Sequence, residues 1–178
     1  MQTMKREVKG YPAPSHLATI TDLTPLEAKA VTDAVNPLIA DAFALYVKTK
    51  NFHWHLYGPH FRDYHLLFDE QAEQIFESID VMAERVRKVG GTTIHSISHI
   101  AQLQSIEDDN NESVSAGEMV RRLMEDNAHA ADMIRSAITV CDKNRDSATS
   151  NSLQDILDKT ERRKWFLFEI VQGAKYTE

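Results

Sequence analysis

The chain has 178 residues, a length that favours one domain of ordinary size. Its 20 Lys and Arg against 27 Asp and Glu give a formal charge of -7, which argues against a protein that coats nucleic acid unaided, because phosphate binding needs clustered cations. The single cysteine, Cys141, excludes an intrachain disulfide framework and a Cys-based zinc cluster. No run approaches the roughly 18 apolar residues of a membrane span, and residues 1–20 lack an apolar signal-peptide core, so we expect a cytoplasmic protein without a membrane partner.

The first elements in chain order are an arm and a long helix. Residues 1–22 form a mixed leader that we expect to be a flexible N-terminal arm. Thr24 followed by Pro25 is typical of an N-cap and the first helical turn. The apolar residues that follow recur at three- and four-residue steps, which predicts a helix running toward Tyr57. Pro37 interrupts this stripe, and we expect it to kink the helix.

Three more long amphipathic helices are predicted, separated by the few remaining glycines and prolines. Their ranges are about 60–88, 115–141 and 150–173, with a short helix at about 97–104 between the second and the third. Ser115 and Glu118 have the spacing of a capping box at the start of the third. The connection that holds the short helix is long enough to cross a bundle from end to end, so the sequence predicts an all-α, ferritin-like four-helix bundle. The chain then divides into an arm at 1–22, the bundle at 23–173 and a short tail at 174–178.

Four side chains on the second helix form two pairs with metal-ligand chemistry. His65 and Asp69 are four residues apart, as are Asp80 and Glu84, so each pair shares one helix face. At about 100° per residue, all four fall within an arc of about 100° beside the apolar stripe. Imidazole and carboxylate groups at the edge of a buried seam suit divalent iron, manganese or zinc.

The length of the helix decides how such a site is built. Asp69 and Asp80 are eleven residues apart, which is about 16 Å of helix rise, whereas metal–ligand bonds are only about 2 Å long. The two pairs of one chain therefore cannot bind the same ion. A second copy of the helix, running antiparallel across a two-fold axis, would bring each pair against the opposite pair of its partner. His53, across the turn from the second helix, can complete the histidine side.

Spacing alone leaves a second interpretation open, because acidic residues four apart are often only a solvated helix face. His55 lies about 200° around the helix from His53, so the two cannot face one ion. Glu73 falls within the ligand arc and is a candidate auxiliary contact, and Trp54 is a candidate electron donor. The remaining histidines outside the pattern are expected at the surface, in loops or at a helix start: His16, His60, His95 and His99.

These residues resemble the Dps family, the ferritin-like DNA-binding proteins from starved cells. The resemblance rests on these motifs: His53-Trp54, Gly58, Phe61, His65-x3-Asp69, Asp80-x3-Glu84-Arg85 and Gly90-Gly91. It extends over about 24–173 through the same helix order, and ends in Lys164-Trp165-Phe166-Leu167. All five family ferroxidase positions are filled by matching residues: His53, His65 and Asp69 of one subunit, and Asp80 and Glu84 of its two-fold mate.

The resemblance implies a ferroxidase that stores iron. Fe(II) would be oxidised at the intersubunit sites by hydrogen peroxide, or more slowly by oxygen, and zinc or manganese could substitute there. Twelve subunits, assembled from two-fold dimers, would enclose the ferric mineral in a hollow shell and protect DNA from oxidative damage. In the family, iron enters through acidic pores near the end of the third helix and the start of the fourth, where the candidates are Asp142, Asp146 and Asp155.

DNA binding is the alternative function. Some family members use a lysine-rich terminal arm, and the comparable cations here are Lys5, Arg6 and Lys9. Twelve such arms would bind DNA non-specifically through multivalency, which would make the protein nucleoid-associated or even a nucleoid-compacting structural protein with weak redox activity. An ordinary ferritin with a di-iron centre inside each bundle is disfavoured, because that centre needs Glu-x-x-His and the sequence contains none. A purely helical interaction module would bind no metal.

Overall fold

The structure is a computed structural model that describes residues 17–174. Within this range the helices are α1 (Pro25–His55), α2 (Phe61–Lys88), α3 (Ile97–Leu103), α4 (Ala116–Lys143) and α5 (Ser147–Ala174). They follow the predicted order. Most of the predicted arm and tail lies outside the described residues.

Side-chain caps fix where the helices begin. Thr24 and Glu27 form a full capping box, in which Glu27 N–H donates to Thr24 Oγ1 and Thr24 N–H donates to Glu27 Oε2. The box predicted at Ser115 and Glu118 forms only by half: Glu118 N–H donates to Ser115 Oγ, but the Glu118 carboxylate binds two arginines of the next turn instead. α1 continues past Pro37 as an uninterrupted helix.

α5 begins three residues before its predicted start. Asp146 precedes it, and the Asp146 Oδ1 atom accepts a hydrogen bond from Thr149 N–H at 3.0 Å, as an N-cap does. The same carboxylate accepts a hydrogen bond from Arg85 Nη2 at 3.0 Å. The buried ion pair therefore ties the first turn of α5 to the last turns of α2.

The four long helices pack as the predicted ferritin-like bundle. α1 packs against α2 and α4, α5 packs against α4 and α2, and α3 lies against α1. Large, fully buried side chains from all four long helices fill the core, among them Phe52, Phe68, Met119, Leu123, Leu153 and Leu167. Most positions that periodicity assigned to the apolar stripes pack inward, whereas Phe61, Trp165 and Phe168, which were assigned to the same stripes, are exposed.

A buried carboxylate holds the crossover beside α1. The carboxylate of Asp41 accepts hydrogen bonds from the backbone N–H of Ser105 at 2.5 Å and of Ile106 at 2.9 Å, and from Ser105 Oγ at 2.7 Å. These bonds satisfy an acidic group that is costly to bury alone. They also fix the path by which the chain passes from the end of α2 to the start of α4.

Within the described part of the chain, α1 is the one helix long and apolar enough to compare with a membrane span. Half of its most apolar window is buried inside the bundle. A core helix of a bundle is as long and apolar as many membrane helices, so the length and composition of α1 are weak evidence for a membrane span.

Candidate metal centre

Two histidines lock each other in place where α1 and α2 meet. The Nδ1 atom of His53 lies 2.9 Å from the carbonyl oxygen of His65, and the Nδ1 atom of His65 lies 3.1 Å from the carbonyl oxygen of His53. The rings stack with centroids 3.7 Å apart. Because a carbonyl can only accept, both Nδ1 atoms carry the proton, which leaves both Nε2 lone pairs available to a metal.

Asp69 lies beside this pair. Its Oδ1 atom is 3.9 Å from His53 Nε2, within the reach of a shared ion after a small side-chain movement. Phe61 stacks on the other side of His65, with ring centroids 5.0 Å apart, and so fixes the plane of that ring. The structure thus places the three candidate ligands that the sequence assigned to one subunit beside one another, although they do not by themselves form a closed metal site.

Lys50 is a functional neighbour that the sequence analysis missed. Its Nζ atom lies 2.5 Å from Asp69 Oδ1, and this hydrogen bond holds the pKa of the Asp69 carboxyl below its usual range. The bond favours the charged carboxylate, and a metal ion that binds Oδ1 would displace the Lys50 ammonium. The available signal was the spacing, since Lys50 precedes His53 by three residues on the same face of α1.

The second pair, Asp80 and Glu84, lies further along α2 and is exposed. Lys88 Nζ donates to Glu84 Oε2 at 2.7 Å, and this bond lowers the pKa of the Glu84 carboxyl. About 16 Å of helix rise separates this pair from His65 and Asp69. Within residues 17–174 no three His, Cys, Asp or Glu side chains of one chain are grouped closely enough to hold a metal ion.

An exposed apolar surface lies between and beside the two pairs. Phe76, on the α2 face that carries them, is 55% exposed, and its ring packs against Tyr46 of α1 with centroids 5.2 Å apart. On α1, Trp54, which follows His53 in the chain, is 64% exposed. Large apolar side chains in such a position are unusual unless another surface covers them.

Comparison with known proteins identifies the family. A family model described as a ferritin-like domain matches residues 32–175. A protein of Brevibacillus brevis named DNA protection during starvation protein is 33% identical over 133 residues, which is 75% of this chain and 89% of that protein. The chain belongs to the Dps family.

Two further similarities cover more of the chain. A low temperature-induced protein of Nostoc is 33% identical over 152 residues, 85% of either chain. The structure of DpsC from Streptomyces coelicolor is similar with a TM-score of 0.82 and 25% identity, over 96% of both chains. The Dps fold predicted from the sequence is therefore confirmed over nearly the whole described range.

The other Dps-type candidate residues differ in their surroundings. Asp142 and Asp155 are exposed near the α4–α5 turn, as pore acids must be. Asp146 is only 5% exposed and bonded to Arg85 and α5, which gives it a structural role in the subunit. Glu73 is exposed on the ligand face of α2. The cations of the predicted DNA-binding arm, Lys5, Arg6 and Lys9, lie outside the described residues.

Proposed function

We propose that this Dps protein is a ferroxidase that stores iron, with each catalytic site shared by two chains. The observation that carries the proposal is the division of the ligands: three converge at one end of α2, and two stand exposed at the other end. Each group is incomplete alone. An antiparallel copy of α2 supplies the missing half, which yields two equivalent sites in each two-fold dimer.

The exposed apolar surface supports this pairing. Phe76 lies near the midpoint between the two ligand groups, which is where a two-fold axis relating antiparallel copies of α2 would pass. Covering it with the same surface of a second copy removes apolar area from water at about 25 cal/mol per Å². The ligands would then lie at the edge of a dry interface. Six such dimers would form the hollow dodecamer, with Asp142 and Asp155 as the candidate pore residues.

The ligand set suits the oxidation of Fe(II). The Nε2 atoms of His53 and His65 bind Fe(II) as neutral donors, and the carboxylates of Asp69, Asp80 and Glu84 add negative charge. This charge stabilises Fe(III) more than Fe(II), which favours electron loss. Two Fe(II) ions give one electron each to one hydrogen peroxide, its O–O bond breaks, and two protons complete two waters. Zinc and manganese would compete for the same donors.

Ferroxidase stoichiometry tests this function. Under anaerobic conditions the wild type should consume Fe(II) and hydrogen peroxide in a ratio of about two to one, since peroxide accepts two electrons. We expect Asp80→Ala and His53→Ala each to lower the initial rate at least about tenfold, because each removes a direct iron ligand. Rates are followed by Fe(III) absorbance in stopped flow. His129→Ala, an exposed histidine on α4, is the matched control, and equal rates in all four proteins would refute the proposal.

DNA protection is the second candidate function, and it is favoured by the name of the Brevibacillus relative. The arm with Lys5, Arg6 and Lys9 would supply the contacts. Deletion of residues 1–10 should then abolish an electrophoretic shift of linear DNA at low salt while the ferroxidase rate stays unchanged. A shift that persists in the deletion variant would exclude the arm as the DNA-binding element.

A further inference from the structure

A second pair of histidines lies in the crossover, on a different element from the ligands described above. His95 immediately precedes Ser96, the N-cap of α3, and His99 lies in the first turn of that helix. The sequence predicts only a surface position for both. In the structure their rings lie side by side, with centroids 5.6 Å apart and planes within 16° of parallel.

Local bonds hold the two rings in this arrangement. The backbone N–H of His99 donates to Ser96 Oγ at 3.2 Å, which fixes the first turn. The backbone N–H of His95 lies 3.4 Å from His99 Nδ1, at the long limit of a hydrogen bond. Ile100, buried against the bundle, anchors the helix that carries His99. The backbone of the pair is thus ordered before any ligand binds.

The ring separation matches two imidazoles that share one metal ion. A zinc–nitrogen bond of about 2.0–2.1 Å, plus about 1.1 Å from the nitrogen to the ring centre, places each centroid about 3.2 Å from the ion. At a tetrahedral angle the two centroids then lie about 5.2 Å apart. The observed 5.6 Å exceeds this by about 0.4 Å, which a small change in χ1 removes. Rotation about χ2, a broad torsion in histidine, then turns one nitrogen of each ring toward the ion.

We propose that His95 and His99 form a second metal site, which binds one Cu²⁺ or Zn²⁺ ion through two imidazole nitrogens, with water in the remaining positions. Two imidazoles without a carboxylate favour these ions over Fe(II) and Mn²⁺, and the Irving–Williams order places Cu²⁺ first. Neither histidine takes part in an ion pair among the described residues. Rotation of His99 gives up its long contact with His95 N–H, and water replaces it at this exposed position.

The test counts metal ions bound to the assembled protein. Zn²⁺ is titrated against a chromophoric chelator, and Cu²⁺ binding is followed by electron paramagnetic resonance, whose nitrogen couplings report the number of imidazoles. We expect the double variant His95→Gln/His99→Gln to bind one ion fewer per chain than the wild type. The single variant His99→Gln should bind that ion about 100-fold more weakly, because the second imidazole acts intramolecularly.

His55→Gln is the matched control, since His55 is an exposed histidine whose Nδ1 bonds to its own helix. It should bind as the wild type does. Equal stoichiometry and affinity in the double variant and the wild type would overturn the proposal, as would a Cu²⁺ spectrum with a single nitrogen at this site. The number of ions bound per chain differs by one between the wild type and the double variant whether or not the site on α2 binds metal. The two proposals can therefore fail independently of each other.

Discussion

Each of the two stacked histidines, His53 and His65, uses the other's backbone carbonyl to hold its ring. The bond selects the protonated nitrogen and aims the other nitrogen outward, a task that carboxylates or carbonyls perform around many metal-binding histidines. Here the orienting groups come from the ligand residues themselves. A substitution at either position therefore removes one candidate ligand and the stacking contact, but it keeps the backbone carbonyl that orients the other ring.

Burial makes Cys141 chemically inert. The thiol is fully buried in α4, and burial, with a further contribution from Asp146 and Asp142, raises its pKa to about 12. Because the thiolate is the reactive form, we expect no reaction of the native protein with a disulfide reagent at pH 8. Unfolding in guanidinium should release one reactive thiol per chain, measured by absorbance.

Ser136→Cys supplies the control for this measurement, since Ser136 is exposed on the same helix. That variant should show one reactive thiol in the native state and two after unfolding. Labelling of the native wild type at the rate of the variant would contradict the assigned burial.

Residue types at helical spacing were enough to predict where the candidate ligands lie but not their surroundings. Periodicity placed His65 and Asp69 on one face, and the turn brought His53 near them. The reciprocal hydrogen bonds to the two carbonyl groups could not be predicted, because they depend on how far α1 and α2 are offset along their axes when they pack. The position of Lys50 on Asp69 depends on the same packing.

Among the helices, α1 has the most complete N-terminal cap. Besides its bonds with Thr24, Glu27 accepts hydrogen bonds from Arg145, which precedes α5. These bonds lower the pKa of the Glu27 carboxyl to about 2, the contact with Thr24 contributing most. The cap therefore joins the start of α1 to the turn between α4 and α5.

The sign of this shift predicts how stability depends on pH. A depressed pKa in the folded state stabilises the protein above the ordinary pKa of 4.5, and this contribution disappears as the pH falls toward 2. Glu27→Gln can keep the capping box but removes the negative charge that Arg145 binds, so it should lower Tm by about 1–2 °C at pH 7 and by less near pH 2. Calorimetry at both pH values measures this. Glu112→Gln, in the exposed crossover, should leave Tm unchanged; an equal loss for Glu27→Gln at pH 2 and 7 would contradict the assignment.

Helix boundaries followed from the sequence wherever a cap was local. Thr24 and Ser115 were predicted as N-caps and act as such. The start of α5 is the exception: its cap is also local, since Asp146 accepts a hydrogen bond from Thr149 N–H, but the polar run 143–149 was assigned to a loop. The fold class was predictable because it depends on periodicity and connection length, which both lie in the sequence.

The whole assembly determines whether a site exists at all. If each site needs His65 from one chain and Glu84 from another, His65→Ala and Glu84→Ala subunits are each inactive alone. A mixed dimer of the two variants would contain one intact site and one doubly defective site. Co-refolded mixtures should therefore recover about a quarter of the wild-type rate under random pairing.

Native mass spectrometry would confirm that both variants enter the same assemblies. His65→Ala mixed with His53→Ala is the matched control, because both changes fall in the same half and no pairing restores a site. Equal rates in the two mixtures would exclude sites shared between two chains.

The distance between the ligand groups on α2 also has a consequence for newly made protein. With sites shared as proposed, a newly synthesised chain would carry two half-sites and no complete one, so it would not oxidise Fe(II) before it dimerises. Dimers are the assembly units of the proposed shell. Iron oxidation that requires dimers would therefore start only once the shell that stores the insoluble ferric product has begun to assemble. The separation of the two ligand groups along one helix would thereby prevent ferric oxide from forming on unassembled subunits.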